Sequence, residues 1–429
     1  MNAARVAGPD ESDASKAQDH DHRGPPPLVF RQPLRLLVIA PYAVYPPVGG
    51  GKMRIYHLLQ EWMRLGHEVT LWVAPSDEPV LTWSVGGPKP QLRALSALVR
   101  RSTLSKFQAL LSALPEEVWA RPPLPVDEDD ARVSSFDLVL LMQAHVGRYA
   151  TRFLKAGLPV ILDQQNVESQ ISADVARLAP TWLGRARARA DILKWRSYER
   201  GLVGRTQRTV AVSELDAESF RRLVPSATVV VRPSGADVRT LEYVDHGENR
   251  LDRLIMTGTL GYLPNLDAAR WMIERILPRV RRVRPKAHLI LVGASAPDSL
   301  RQSGGDAVEV VGRVPDVRPF LDGADLFVAP LRAGGGTRLK LLETFAVGLP
   351  AVATTLASAG INVRHGVDIA TADDEESFAD EIVRMLGDVS ARRAMAESAR
   401  QLVETSYDWR TIAADYQEDL YDVVRASRG

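Results

Sequence analysis

Leu36-Leu37-Val38-Ile39-Ala40 is an unbroken apolar run of strand length, halted at once by Pro41. A strand that is apolar on every residue must be covered on both faces, the condition of a parallel strand inside a layered α/β structure. After it come Gly49-Gly50-Gly51, then Ile55, Leu58, Leu59, Trp62, Met63 and Leu65 at helical spacing, Gly66 as a stop, and a second strand from Glu68 to Ala74. That order is a βαβ unit with a right-handed crossover. Further strands are expected at Asp137 to Met142, Pro159 to Asp163, Arg208 to Val212 and Ala227 to Arg232. Near Ser234 the pattern restarts: a strand Arg253 to Thr257, a helix about Asp267 to Ile276, then strands His288 to Gly293, Val308 to Val311, Asp325 to Pro330 and Ala351 to Thr355.

The repeated pattern predicts two doubly wound domains facing each other across a cleft, divided near residues 233 to 252. Length agrees, since 429 residues exceed the ~250 to 300 that one core organises. Met1 to Pro33 is rich in Asp, Ser, His, Gly and Pro and is read as a disordered leader without a signal-peptide core. The segment from Asp77 to Val133 reads as a helical excursion carrying Leu92, Leu95, Leu98, Leu104, Phe107, Leu110, Leu111 and Leu114 beside Arg93, Arg100, Arg101 and Lys106. Such a face either packs on its own domain or lies on an anionic membrane. Arg185, Arg187, Arg189, Lys194 and Arg196 pose the same choice, a solvated helix face being the ordinary outcome.

Charge and cysteine content exclude several functions. Lys+Arg at 54 against Asp+Glu at 53 leave no field that would draw the chain onto nucleic acid. With no cysteine there is neither a disulfide nor a thiolate metal site. No apolar run approaches the ~20 residues of a membrane span, so a cytoplasmic location is expected, with peripheral membrane contact left open. No D-x-D closes a strand and no His pair has helical spacing, so neither a metal nor a cofactor is expected.

Chemistry concentrates in Ala333-Gly334-Gly335-Gly336-Thr337-Arg338-Leu339-Lys340-Leu341-Leu342-Glu343. Strand residues 325 to 330 precede it, and Leu339, Leu342, Phe345 and Ala346 mark the helix that Thr337 is placed to cap. A glycine loop between a strand's carboxyl end and a helix N-terminus is an anion site: backbone N–H groups approach closely and the helix dipole favours negative charge. Arg338 and Lys340 add full charge, most useful as a leaving diphosphate develops its own. Glu343 either accepts from two ribose hydroxyls or forms an ordinary i,i+3 pair with Lys340.

The stretch Thr337 to Pro350 resembles the donor signature of family 4 retaining glycosyltransferases of the GT-B type. Pro47 to Gly51, Gly66-His67-Glu68-Val69, Asp163 to Glu168, Pro233 to Asp237, Val311 to Val314 and Tyr407-Asp408-Trp409 follow in that family's order, so the resemblance runs from about Leu34 to Val424. It implies two Rossmann-like domains, 34–233 for the acceptor and 234–406 for a nucleotide sugar. Residues 407–429 would form a closing helix returning to the first domain. It further implies that Glu343 holds the donor ribose and that the backbone at Arg313 and Val314 meets the base. Gly50, Gly51, Gly334, Gly335, Gly336 and Thr337 would approach the phosphates, with Arg338 and Lys340 stabilising the leaving group.

Three departures stand out. Many relatives carry a glutamate where Gly335 stands, an Arg and a Lys within the span that here reads Gly258 to Asn265, and a histidine near Gln165. His145, Gln165, Glu168 and Asn265 are candidate contacts to sugar or acceptor, each with a structural alternative: a solvated or structural histidine, a cap for a helix beginning near Ser169, a Pro-Asn turn. The expectation is a metal-independent hexosyl- or glycosyltransferase acting on a hydroxyl acceptor with retention of configuration. Against it stand a glycosyltransferase-like binding subunit, suggested by the missing side chains, and a dinucleotide oxidoreductase, which Gly49-Gly50-Gly51 fails to support because it lacks G-x-G-x-x-G spacing.

Overall fold

Strand β1 (Arg35–Ala40) is buried at every position after its first, and it lies between two parallel neighbours. Val38 stands opposite Leu71 on one side and Leu140 on the other, so its apolar run is covered by sheet neighbours and by helices on both faces. The computed structural model describes residues 32–47, 49–74, 88–95, 112–121, 133–179, 181–246, 251–303, 305–335 and 339–429. The leader read into residues 1–33 therefore lies almost wholly outside the described residues, as does most of the excursion.

The first lobe is a seven-stranded parallel sheet in the order β3-β2-β1-β4-β5-β6-β7. Its other strands are β2 (Glu68–Val73), β3 (Gln91–Ala94), β4 (Leu138–Met142), β5 (Val160–Gln164), β6 (Arg208–Ala211) and β7 (Val229–Val231). The second lobe is a six-stranded sheet ordered β10-β9-β8-β11-β12-β13. It comprises β8 (Arg253–Thr257), β9 (His288–Val292), β10 (Val308–Gly312), β11 (Leu326–Ala329), β12 (Ala351–Ala353) and β13 (Ala370–Thr371), again all parallel. Strand order reverses between β1 and β4 and between β8 and β11, and ligand crevices open at the carboxyl ends of such pairs.

One expectation needs correction. Leu92 and Arg93, read as part of a helical excursion, belong to the edge strand β3, where Trp72 pairs with Arg93 and the guanidinium lies 5.1 Å from the Trp72 ring. Gln91-Leu92-Arg93-Ala94 alternates polar and apolar for only four residues, a short strand signal beside the longer leucine spacing that follows it; pairing with the open edge of β2 fixes the conformation. The first helix also starts earlier than its apolar spacing suggests: it spans Gly50–Arg64, so Gly50 and Gly51 form its first turn.

The helix Trp409–Arg428 leaves the second lobe and packs on the first. Asp408 caps it, and the adjoining Ala236–Asp408 bridge ties it to the joint between lobes. Tyr416 meets Trp62 edge-on at 5.2 Å, Gln417 Oε1 lies 3.1 Å from His67 Nε2, and Asp419 holds Arg208 at 2.6 Å and Arg232 at 2.7 Å. Through Trp409, Tyr416 and Leu420 the hydrophobic core runs unbroken from one sheet to the other.

Candidate active site between the lobes

On the first-lobe side the floor is built from strand ends. Gly49 has φ +98°, a conformation costly for any residue with a Cβ, and it turns the chain into the Gly50–Arg64 helix. Gly51 is held to a single size, because a Cβ there would lie 2.0 Å from Tyr42 Oη and 3.1 Å from both Gln143 Nε2 and Gln165 Oε1. Gln143, at φ +77° beyond β4, donates to Tyr42 Oη at 2.9 Å, and Gln165 Nε2 reaches Gly51 O at 3.4 Å. Burial raises the Tyr42 phenol above its ordinary pKa, against the pull of the Gln143 hydrogen bond, so Tyr42 remains a neutral hydroxyl. Tyr42 was not singled out from the sequence; its place directly after the β1 run, at a strand's carboxyl end, is the signal that was there to find.

On the second-lobe side Lys340 and Glu343 lie on the helix Leu339–Ala346. Lys340 does not pair with Glu343: its Nζ donates to Asn265 Oδ1 at 3.0 Å, while Asn265 Nδ2 donates to Thr259 O at 3.0 Å. A Cβ on Gly258 would lie 3.2 Å from Lys340 Nζ, so this ammonium sits against the loop after β8 that has neither Arg nor Lys of its own. Gly293 lets that loop close up, since a Cβ there would lie 1.7 Å from Gly258 O. The Glu343 carboxylate has neither an ion-pair nor a hydrogen-bond partner among the described residues, and burial alone pushes its pKa up to about 7. Gly334 has φ +108°, and a side chain added at Gly335 would enter open space. Arg313 is exposed and Val314 half-buried after β10; among the described residues no hydrogen bond or ion pair joins them to Lys340 or Glu343. Gly336, Thr337 and Arg338 lie outside the described residues.

The two halves touch. A Cβ on Gly50 would come within 3.2 Å of Leu339 Cδ1, which brings the first turns of the Gly50–Arg64 and Leu339–Ala346 helices together. The helix Glu168–Leu178 of the first lobe reaches across as well: Asp174 Oδ2 accepts from the Gly334 N–H at 2.6 Å, and Arg177 donates to Arg332 O at 2.9 Å. No local pattern marked Asp174, because its partner is 160 residues away.

Two candidates fall in a separate acidic cluster. His145 Nε2 lies 2.5 Å from Glu117 Oε2, and its Nδ1 is 3.9 Å from Glu168 Oε1. Burial works against the imidazolium, but the carboxylates of Glu168 and Glu117 outweigh it and raise the His145 pKa. Glu168 does not cap a helix starting at Ser169; it is the helix's first residue, and the fully buried Glu199 accepts its N–H at 2.7 Å. Burial, partly offset by the Ser169 and Glu168 hydrogen bonds, pushes Glu199 up to about 7.

Two α/β lobes, each with a strand-order switch point, meet where the Gly50–Arg64 and Leu339–Ala346 helices begin. Residues 49–235 match the family described as Glycosyl transferase 4-like domain, and residues 252–388 match Glycosyl transferases group 1. The chain thus carries one domain that matches each of these two glycosyltransferase families, and its fold is the two-lobed GT-B type. Phosphatidyl-myo-inositol mannosyltransferase of Mycobacterium leprae is 27% identical over 242 residues, 54% of this chain and 62% of that protein. The chain spans about half the length of the curated relatives it matches. The fold resembles sucrose-phosphate synthase of Thermosynechococcus elongatus, with a TM-score of 0.67 at 16% identity over 91% of this chain and 100% of that one. It also resembles HepE of Anabaena in complex with UDP and glucose, with a TM-score of 0.64 at 14% identity over 90% of this chain and 99% of that one.

Proposed function

We propose that the protein moves a hexose or modified sugar from a nucleoside-diphosphate sugar to a hydroxyl on a polysaccharide, cell-wall, lipid or secondary-metabolite acceptor, with retention of configuration. The observation that carries this reading is Glu343: a largely desolvated carboxylate with no partner among the described residues, two helical turns or less from the glycine loop, where two ribose hydroxyls would satisfy it. The solved complexes of HepE with UDP and with UDP-glucose support a donor of this class, and the mannosyltransferase relative supports a hydroxyl acceptor on a lipid.

In the transfer, the bond from the anomeric carbon to the diphosphate breaks and a bond to the acceptor oxygen forms on the same face. The acceptor proton passes to a phosphate oxygen, so no protein base is required, in keeping with Gln165 and with a His145 committed to carboxylates. Lys340, Arg338 and the glycine-loop N–H groups neutralise the departing diphosphate. Gly335 leaves open space where many relatives carry a carboxylate.

A screen of nucleoside-diphosphate sugars, monitored by nucleoside diphosphate release with and without chelator, tests the reading. Turnover of at least one donor that survives chelation is expected; donor binding without any hydrolysis or transfer would make the protein a binding subunit instead. Lys340→Met is expected to lower kcat by on the order of 100-fold with a smaller change in KM, the mark of charge stabilised mainly in the transition state.

A further inference from the structure

The helix Trp182–Val203 forms a hairpin with the cleft-side helix Glu168–Leu178, and its outward face is unlike an ordinary solvated surface. Thr181 Oγ1 accepts the Gly184 N–H at 3.1 Å, so the helix starts sharply at Trp182, and Arg185 Nε closes the hairpin turn on Ala179 O at 2.9 Å. Its inner stripe is Ala188, Trp195, Glu199, Leu202 and Val203. On the outer face Trp182 is 74% exposed, Leu193 70% and Leu183 62%. Trp182, Ala186, Ala190 and Leu193 follow one another at i, i+4, i+8 and i+11, which lines them up along the helix, and all four are exposed.

Charge on this helix is sorted by face. Arg185, Arg189, Arg196 and Arg200 are exposed along one flank of the apolar line. Arg187, on the other flank, is exposed and pairs with Glu116 at 2.5 Å. Of the two acids of the helix, Glu199 is buried and Asp191 is half-buried on the Arg187 side, so the line from Trp182 to Leu193 and its flank of Arg185, Arg189, Arg196 and Arg200 carry positive charge only. An apolar line with a tryptophan at its end, edged by arginines and free of acids, matches an anionic bilayer surface: indole and leucine enter the headgroup layer while guanidinium groups meet lipid phosphates.

We propose that the outward face of Trp182–Val203 is the surface on which this protein lies against an anionic lipid bilayer. The paired helix Glu168–Leu178 contacts the 332–334 loop through Arg177 and Asp174, so the docked face belongs to the same hairpin that borders the cleft. This inference is independent of which sugar is transferred, and its test does not use activity.

The test is co-sedimentation of the full chain with vesicles of phosphatidylcholine alone or with about one third phosphatidylglycerol, at low and high salt. Binding is expected to the anionic vesicles only and to fall steeply with salt. Trp182→Ser/Leu193→Ser and Arg189→Glu/Arg196→Glu are each expected to weaken it by about 10-fold or more, with unchanged unfolding midpoints because all four positions are exposed. Unchanged binding by both variants, or equal binding to neutral vesicles, overturns the proposal. So does a parent protein that ignores vesicles but elutes as a dimer that Trp182→Ser/Leu193→Ser dissolves, since the face would then join two copies of this chain.

Discussion

Glu343→Gln is expected to weaken donor binding by about 10- to 100-fold and, at the same time, to make the protein more stable at mildly alkaline pH. Both effects follow from one desolvated carboxylate that has no partner among the described residues. Its pKa is raised from 4.5 to about 7, so the folded state holds a proton that the unfolded chain releases. Between these values the folded state binds more protons, and stability falls as pH rises; below about 4.5 there is no penalty, and above about 7 it is complete. The full penalty is on the order of 3 kcal/mol, which glutamine removes. Urea unfolding of both proteins at about pH 5 and pH 8 should therefore show a difference that grows with pH. Ribose hydroxyls hydrogen-bond best to the ionised form, so donor affinity of the parent should rise with pH through about 7, and in the variant it should be flat. Calorimetric titration with the donor that the screen identifies, across that range, checks the second half. A variant that gains stability yet binds its donor as before would leave Glu343 with no part in the site.

Arg54→Met is expected to cost about 3 to 5 kcal/mol of stability. Arg54 and Asp163 are both fully buried and pair through two bonds, Nε to Oδ1 at 2.9 Å and Nη2 to Oδ2 at 2.7 Å, while Nη1 donates to Pro233 O at 2.8 Å. Removing the arginine leaves an unpaired carboxylate in the core and frees the peptide at the joint between the lobes. Asp163→Leu alone should be similarly damaging, since it strands the guanidinium. The double variant Arg54→Met/Asp163→Leu should recover much of the loss, because neither charge then remains to be desolvated. Denaturant midpoints of the three variants measure this, and additive losses in the double variant would show that the pair is not coupled.

The apolar runs that became β1, β4, β9 and β11 were legible because a strand buried on both faces leaves no polar position along it. The passage from β11 to the Leu339–Ala346 helix was legible for a related reason, since three glycines between such a strand and an amphipathic run mark where one element gives way to the next. Edge strand β3 was not, because Gln91–Ala94 takes its conformation from β2 rather than from its own side chains. The acidic cluster around His145 was equally hidden: Glu117 and Glu199 lie 28 and 31 residues from the groups they hold, on elements with no shared motif.

Local order along this chain determined its two α/β lobes and the site's position at strand ends, because burial on both faces and helical period are properties of neighbouring residues. Only the tertiary structure decided the partners: that Lys340 turns to Asn265 rather than to Glu343, and that Asp174 crosses to Gly334. Those outcomes depend on strand order and on how closely the lobes approach, and a residue's own neighbourhood in the chain carries no record of either.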